Sequence, residues 1–343
     1  MAQVLQAERA AMARALELAT RGPRHGPNPR VGCVLLAPDG ATIGEGWHAG
    51  AGTPHAEVRA IADARAAGHD TAGATAVVTL EPCAHTGRTG PCTRALLTAG
   101  VTRVVHAVAD PDPLAAGGGQ VLVDAGVDVV SGLAREEGEA VLGPWLTAVR
   151  RGRPVVTLKI AATLDGRVAA ADGTSRWITS PAAREHAHRV RATVDAIVVG
   201  TGTALADDPA LTARTAEGDL AAHQPLRVVV GHRAVPARAR LRGPGGELVA
   251  LDTHDPSVVL ADLARRDVRH AVVEGGPVLA AAFLAAGVVD ELHVYLAPVL
   301  LGAGRSAVAD LGITTLGDAL RWRTVALEQV GPDVLVIARR LEA

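Results

Sequence analysis

Aromatic residues are scarce in this 343-residue chain, which contains one Phe, one Tyr and four Trp. Proteins that hold single-stranded nucleic acid stack the bases on aromatic rings, and those that follow a phosphate backbone carry an excess of Lys and Arg. The formal net charge here is −2. The sequence therefore disfavours a nucleic-acid partner and favours a small-molecule ligand.

Cysteine is also scarce, since Cys33, Cys83 and Cys92 are the only three. So small and odd a number provides no disulfide framework and suits a reducing compartment. No apolar run approaches the roughly 18 residues that a membrane-spanning helix needs. The N-terminal segment, interrupted by charges, is typical of an amphipathic helix and not of a signal peptide. We expect a soluble cytoplasmic protein with no membrane partner.

Lysine is almost absent, because Lys159 is the only lysine among the 34 basic residues. Chance is one explanation. The other is that this position requires a compact ammonium group whose pKa can be adjusted by its surroundings.

Alternating strands and helices predict two α/β domains. In the first half we expect helices over 4–20, 55–67, 91–99 and 133–149, and strands over 31–37, 41–47, 75–80 and 101–109. The polar, turn-prone segment 150–154 marks the boundary, so the domains are expected over 1–149 and 150–343. Strands are expected after it over 155–160, 196–199, 226–230, 271–273 and 292–296, with a surface loop over 236–246.

His55, Cys83 and Cys92 have the side chains and the order of a catalytic zinc site. Zinc prefers thiolate and imidazole in a tetrahedron, and three protein ligands leave one corner for water. Glu57, two residues after His55, is placed to move protons without binding the metal. The alternatives are an incidental grouping, or a structural zinc site with His85 as its fourth ligand.

Eight residues separate Cys83 from Cys92, whereas the nucleic-acid deaminase signature has two between its cysteines. His85, Arg88 and Thr89 make this loop polar and partly cationic. Such a loop suits an anionic group such as a sugar phosphate. An ordinary solvent-exposed loop would have a similar composition.

Glycines in the second half indicate a nucleotide site. Gly200-Thr201-Gly202-Thr203 lacks the third glycine of a dinucleotide fingerprint and is weak evidence alone. Glu274-Gly275-Gly276-Pro277 is stronger, because a strand ends in two glycines and Pro277 suits a first helical turn. Backbone amides there could hold phosphate, although an ordinary tight turn is the alternative.

Several motifs, taken together, resemble one family of bifunctional enzymes. They are Pro27-Asn28-Pro29-Arg30-Val31-Gly32, His55-Ala56-Glu57, Glu81-Pro82-Cys83-Ala84-His85, the segment 158–167, Trp177-Ile178-Thr179-Ser180, Asp207-Asp208-Pro209 and Glu274-Gly275-Gly276. In this order they resemble the diaminohydroxyphosphoribosylaminopyrimidine deaminase/5-amino-6-(5-phosphoribosylamino)uracil reductase family, over nearly the whole chain.

The resemblance implies a cytidine-deaminase-like three-layer α/β/α domain followed by a dihydrofolate-reductase-like α/β domain. It implies zinc-dependent deamination of 2,5-diamino-6-(5-phosphoribosylamino)pyrimidin-4-one, then NADPH-dependent reduction of the ribosyl group to ribityl, in riboflavin biosynthesis. We expect a homo-oligomer with zinc and NADPH as cofactors. The alternative is a monofunctional nucleotide deaminase with an inactive reductase-like domain.

The resemblance also implies residue roles. Zinc would be held by His55, Cys83 and Cys92, with Glu57 as the proton shuttle. Substrate contacts would come from Asn28, His48, His85 and Arg88 in the first domain, and from Lys159, Ser175, Arg191, Leu211, Arg214 and Glu274 in the second. NADPH would contact Ala161, Trp177, Thr203, Asp207, Gly276, Pro277, Val278, Leu279, Ala280, Ala281 and Ala282.

Three positions depart from the family pattern: Gly90, Asp112 and the pair Gly231-His232. The last of these replaces a common acidic residue and puts cofactor contacts there in doubt. Reduction also needs a proton for the sugar oxygen, and either Lys159 or Asp165 could supply the charge or the proton.

Overall fold

The computed structural model describes residues 5–85 and 90–341. The chain divides into two compact units, Met1–Gly152 and Arg153–Ala343. Among the described residues, every helix is too short or too polar to cross a membrane.

The first unit is built on one five-stranded sheet. Its strands are β1 (Gly32–Leu36), β2 (Thr42–Trp47), β3 (Thr75–Leu80), β4 (Arg103–Val108) and β5 (Asp128–Ser131). They lie in the order β2-β1-β3-β4-β5. Strand β1 is antiparallel to both of its neighbours, and β3, β4 and β5 run parallel.

Helices cover both faces of this sheet. They are α1 (Gln6–Ala19), α2 (Ala56–Ala66), α3 (Cys92–Thr98), α4 (Gly118–Asp124) and α5 (Arg135–Arg151). Every residue of β1 is buried, as expected for a strand that is covered on both faces. Helix α1 contacts α5, while α2 contacts α3 and α3 contacts α4. The predicted three-layer α/β/α arrangement is confirmed.

Two glycines allow the close approaches that position the first unit's polar residues. A Cβ on Gly46 of β2 would lie 2.3 Å from the carbonyl oxygen of Ala56, so α2 begins directly against β2. A Cβ on Gly118 would lie 1.7 Å from the carbonyl oxygen of Pro82. Helix α4 therefore starts against the segment that carries Cys83.

The glycines over 117–119 indicate a loop or the start of a helix, and α4 begins there. The sequence did not predict β5, which has only four residues. The closing helix predicted over 133–149 corresponds to α5, which extends over Arg135–Arg151. Its backbone is non-helical at Gly143, before Pro144. Proline at that position removes a helical hydrogen bond and interrupts the helix.

The second unit contains an eight-stranded mixed sheet and a two-stranded ribbon. The strands are β6 (Val155–Thr163), β7 (Arg167–Ala169), β8 (Ala196–Gly200), β9 (Leu226–Val230), β10 (Leu248–Leu251), β11 (His270–Val273), β12 (Glu291–Ala297), β13 (Arg305–Ser306), β14 (Trp322–Val330) and β15 (Asp333–Arg340). The large sheet has the order β10-β9-β8-β11-β6-β12-β15-β14, and β7 pairs with β13. The helices are α6 (Pro181–Arg191), α7 (Thr201–Asp207), α8 (Pro256–Arg265) and α9 (Pro277–Ala285).

Strands β10, β9, β8, β11, β6 and β12 run parallel, so their carboxyl ends meet at one edge of the sheet. Ligands bind at this edge in open α/β sheets. The predicted strand over 155–160 extends to Thr163 in β6. The predicted surface loop over 236–246 is only partly right: its arginines are exposed, but Leu241 is fully buried in an apolar cluster with Leu211.

Candidate active sites

The first site is a cluster of one imidazole and two thiols in the first unit. His55 caps the N-terminus of α2, Cys92 is the first residue of α3, and Cys83 follows the end of β3. Their ligand atoms all lie within 4.8 Å of one another. His55 Nδ1 is 3.1 Å from Cys92 Sγ and 3.7 Å from Cys83 Sγ. Two sulfurs and one nitrogen at these separations fit three corners of a zinc tetrahedron.

The surroundings favour a thiolate at Cys83. Hydrogen bonds from the Cys92 thiol, His55 and the Cys92 backbone amide outweigh burial and lower the pKa of Cys83 to about 4. The Cys92 N–H lies 3.4 Å from Cys83 Sγ. Because thiolate is the form that binds a metal, the cluster is prepared for a cation. The sequence-based interpretation of these three residues as one site is consistent with this geometry.

Glu57 lies in the first turn of α2 and is almost completely buried. Burial raises the pKa of its carboxyl group, although the nearby positive charge of His55 opposes this. The carboxyl group interacts with the Cys92 thiol, at the edge of the cluster. A carboxyl group whose pKa is raised holds a proton more readily and can therefore both accept and return one.

Asn28 and His48 form the adjoining wall. The Asn28 amide Nδ2 donates to His48 Nε2 at 2.9 Å, and His48 Nδ1 lies 3.3 Å from the Pro54 carbonyl oxygen. Burial lowers the pKa of His48, which favours the neutral ring that can accept from Asn28. The His48 ring stands edge-on to His55, with centroids 5.3 Å apart.

Trp145 supports this wall and was not anticipated from the sequence. Its indole Nε1 donates to the Pro27 carbonyl oxygen at 2.9 Å, in the peptide that precedes Asn28. No local pattern signals a contact between residues so distant in the chain. His85 follows Cys83 and is exposed, while Arg88 lies outside the described residues.

The second site is a cleft at the carboxyl ends of the parallel strands in the second unit, with a volume of about 1330 Å³. This is large enough for a dinucleotide and a second small molecule. Of the expected residues it brings together Lys159, Ala161, Ser175, Trp177, Arg191, Thr203, Asp207, Leu211, Arg214, Glu274, Gly276, Pro277, Val278, Leu279 and Ala282. Ala280 and Ala281 do not line it, because both are buried on the other side of α9.

A buried ion-pair network lies in this cleft. Arg191 donates from Nε and from its terminal Nη2 to the two carboxylate oxygens of Glu274, both at 2.7 Å. Lys159 Nζ is 3.9 Å from Glu274. Burial opposes ionisation of Glu274, but the Arg191 and Lys159 charges prevail and lower its pKa to about 2. Burial lowers the pKa of Lys159, against the attraction of Glu274.

Fewer backbone amides are unpaired at the start of α9 than the sequence indicated. The Gly276 amide donates to Thr203 Oγ1 at 3.0 Å, so it is already paired within the protein. The first-turn amides of Val278 and Leu279 have no acceptor within the helix and remain available to a ligand. The Gly276 amide is therefore not free to bind a phosphate.

The cleft is strongly basic, although the whole chain has a net charge of −2. Its described lining includes eight Lys or Arg residues and two Asp or Glu residues. His232 and His254 also line it, with ring centroids 4.5 Å apart. The departure at Gly231-His232 thus places an imidazole in the cleft. Such a lining suits a ligand that carries several phosphates.

Comparison with known proteins places both units in known families. Residues 154–336 match the family described as the RibD C-terminal domain, and residues 5–108 match the cytidine and deoxycytidylate deaminase zinc-binding region. The chain is 51% identical over 312 residues to riboflavin biosynthesis protein RibD of Mycobacterium tuberculosis, covering 90% of each chain. It is 43% identical over 359 residues to that of Escherichia coli, covering 94% of this chain and 96% of the other.

Solved structures agree with these matches. Acinetobacter baumannii RibD superimposes with a TM-score of 0.88 at 37% identity, covering 99% of this chain and 100% of that one. The Thermotoga maritima diaminohydroxyphosphoribosylaminopyrimidine deaminase/5-amino-6-(5-phosphoribosylamino)uracil reductase superimposes with a TM-score of 0.85 at 33% identity, covering 98% and 99%.

Proposed function

The chain belongs to the RibD family of bifunctional riboflavin-biosynthesis proteins, and from this premise we propose how its residues perform the two reactions. It is an enzyme with a zinc-binding deaminase domain and a NADPH-dependent reductase domain. We assign deamination to residues 1–149 and reduction to residues 150–343. The comparisons give no support to the alternative of an inactive second domain.

We propose that the first reaction is hydrolytic deamination of 2,5-diamino-6-(5-phosphoribosylamino)pyrimidin-4-one. One ring amino group leaves as ammonia, and water supplies the oxygen that replaces it. Zinc held by His55, Cys83 and Cys92 would supply the Lewis acidity that lets water ionise near neutral pH. The observation that carries this assignment is the convergence of two thiols and one imidazole within 4.8 Å, beside a buried carboxyl group.

Glu57 is the group that moves protons in this reaction. It would take a proton from water, pass it to a ring nitrogen and return a second one to the departing amine. Its raised pKa makes both directions accessible. Asn28 commits its amide N–H to His48, so its carbonyl oxygen remains to accept a hydrogen bond from the pyrimidine. His85 and Arg88 follow Cys83 closely in the chain and would bind the ribose phosphate of the substrate.

We propose that the second reaction reduces the ribosyl group of the deaminated product to ribityl. Bound NADPH would supply the hydride for the sugar C1, and the sugar oxygen would then need a proton. Lys159 lines the cleft, and its lowered pKa makes its proton easier to release. Glu274, held ionised by Arg191, would accept a hydrogen bond from a ribose hydroxyl and orient the Lys159 ammonium.

Arg191 donates from Nε and Nη2 to Glu274, and from Nη1 to the Thr212 carbonyl oxygen at 3.1 Å. We therefore assign it to orienting Glu274, and Arg214 to the sugar phosphate. Ser175 and Leu211 would complete the substrate pocket. The dinucleotide would lie along Ala161, Trp177, Thr203 and Asp207, with its phosphates near Gly276–Ala282 and the imidazoles of His232 and His254.

We further propose a cytoplasmic homo-oligomer that acts on small molecules and not on nucleic acid. The three free cysteines suit a reducing compartment. Leu327 and Val325 on the edge strand β14 are exposed, and an exposed apolar edge strand is suited to pair with another copy. Light scattering of the purified protein would give the mass of the assembly.

The two-step assignment is tested by measuring both products from the diaminopyrimidine ribose phosphate. We expect ammonia release without NADPH, and one NADPH oxidised per ammonia released when NADPH is present. With the deaminated intermediate as the starting compound, NADPH oxidation should occur without ammonia. Ammonia release that never leads to NADPH oxidation would contradict the reductase assignment.

A further inference from the structure

The carboxylate of Asp165 joins two turns that are far apart in the chain. Its Oδ1 accepts from the Thr163 hydroxyl at 2.6 Å, next to the end of β6. The same oxygen accepts from the Leu301 amide at 3.2 Å, and Oδ2 accepts from the Gly302 amide at 2.7 Å. Hydrogen bonds to an ionised acceptor are stronger than those between neutral groups. One side chain thus ties the segment after β6 to the segment after β12.

The two tied segments continue into one wall of the reductase cleft. Beyond Asp165, β7 pairs with β13, and the Arg167 guanidinium donates to Ser306 Oγ at 2.9 Å. The lining of the cleft includes Ala169 from the first segment and Arg305 from the second. Near this pairing Gly304, with φ +114°, approaches so closely that a Cβ would lie 2.1 Å from the Ala169 carbonyl oxygen. The wall therefore depends on a tight fit between the segments.

Asp165 itself is not among the described residues that line the cleft. The Thr163 hydroxyl, followed by the Gly302 and Leu301 amides, lowers the pKa of Asp165 to about 2. A carboxylate held in this way is ionised at neutral pH and has no proton to give. Of the two groups that could have supplied the sugar proton, Lys159 remains.

We propose that Asp165 is a positioning residue of the reductase, which fastens the wall formed by β7 and β13 and thereby sets the affinity of the cleft for its anionic ligands. The inference rests on the proposed reductase site and concerns the residue that holds one wall in place. Arg305 is the charged group that this wall presents to the cleft. Loosening the wall should therefore weaken the binding of phosphate-bearing ligands first. Preorganised groups bind more tightly than mobile ones because less freedom is lost on binding.

The test compares Asp165→Asn with Asp318→Asn in the full-length protein. Asp318 is a matched control, because its Oδ2 also accepts from a Thr hydroxyl, that of Thr315 at 2.8 Å, but within a single turn that is not among the described lining of the cleft. Asparagine keeps the size of Asp165 but replaces one acceptor oxygen with an N–H donor. The NADPH dissociation constant is measured by titration without substrate, and the KM, the kcat and the pH dependence of kcat are measured with the deaminated substrate.

We expect Asp165→Asn to weaken NADPH binding and raise KM by about tenfold, which corresponds to about 1.4 kcal/mol of binding free energy. The pH at which kcat falls should not move, because the proton comes from Lys159. Amide hydrogen exchange in the peptide over 298–309 should become faster. Asp318→Asn should leave all of these values unchanged, and Thr163→Val gives a milder version of the change if Asp165→Asn does not fold.

The proposal would be overturned if Asp165→Asn and Thr163→Val both left the NADPH affinity and the amide hydrogen exchange unchanged. A shift in the pH profile with normal affinity would also overturn it, since that result would make Asp165 the source of charge or proton. Because NADPH binding and hydrogen exchange are measured without turnover, they separate this proposal from the assigned reaction. A wild-type protein that binds NADPH but does not oxidise it would contradict only the proposed reaction.

Discussion

Replacing Glu274 with Gln is the substitution whose effect the structure defines most clearly. The Glu274 side chain is 8% exposed and that of Arg191 is 16% exposed. Little water reaches either charge, so each is stabilised mainly by the other. Glutamine preserves the shape but removes the negative charge, and it leaves Arg191 and Lys159, whose side chains are 16% and 24% exposed, as two largely buried cations. Removal of one partner from a buried ion pair destabilises a protein by about 3–5 kcal/mol.

This loss should appear in the thermal unfolding of the second unit. For a domain of about 150–250 residues, 1 kcal/mol corresponds to roughly 2–4 °C in Tm. We therefore expect the transition assigned to this unit to fall by about 6–20 °C, which calorimetry can measure. Reductase activity should also be lost, and in any residual activity the fall in rate at high pH should move to lower pH. The reason is that the attraction of Glu274 no longer raises the pKa of Lys159.

Glu185→Gln is the matched control. It breaks the Arg189–Glu185 pair on α6, whose side chains are 57% and 48% exposed. Exposed pairs contribute only about 0.2–1 kcal/mol, so Tm should change by at most about 4 °C. Equal, small changes in Tm for the two variants, with normal reductase activity in Glu274→Gln, would refute the reasoning.

Three further predictions concern other parts of the molecule. Glu57→Gln should retain zinc but slow ammonia release by about 10²–10⁴-fold, the usual contribution of an acid–base group, while reduction of the deaminated intermediate continues; unchanged ammonia release would reject the role. Lys159→Arg should impair the reductase selectively although the charge is kept, because guanidinium does not release its proton; normal kinetics would make the single lysine an accident of composition. Burial lowers the pKa of His270 to about 4 from its usual 6.5, so the unfolded chain takes up the proton first as the pH falls, and stability of the second unit should decrease between pH 6.5 and 4. His270→Gln should flatten that decrease in a pH series of melting curves, and an unaltered slope would count against it.

The three candidate zinc ligands could be grouped from the sequence because zinc chemistry restricts them to few residue types, here near helix starts. His55 and Cys92 both begin helices, as their local patterns indicated. The bond from Trp145 to Pro27 and the bonds from Leu301 and Gly302 to Asp165 could not be predicted. Each joins segments more than 100 residues apart, and only the order of strands and helices brings them together.

The cleft of the second unit shows the same limit. Its individual motifs were visible, but the pairing of the Gly276 amide with Thr203 depends on α7 and α9 lying side by side. His232 was a doubtful departure in the sequence, and the structure shows it facing the cleft beside His254. The side of α9 that faces the cleft likewise follows from packing, which excludes Ala280 and Ala281 from the lining.

X-ray absorption at the zinc edge of the purified protein tests the central claim most directly. With one zinc per chain, we expect two sulfur neighbours at about 2.3 Å and two lighter ones, the imidazole nitrogen and a water oxygen, at about 2.0–2.1 Å. Cys92→Ser should remove one sulfur neighbour and abolish ammonia release. A spectrum with no sulfur neighbours, or with four protein ligands and no water, would contradict a hydrolytic zinc site.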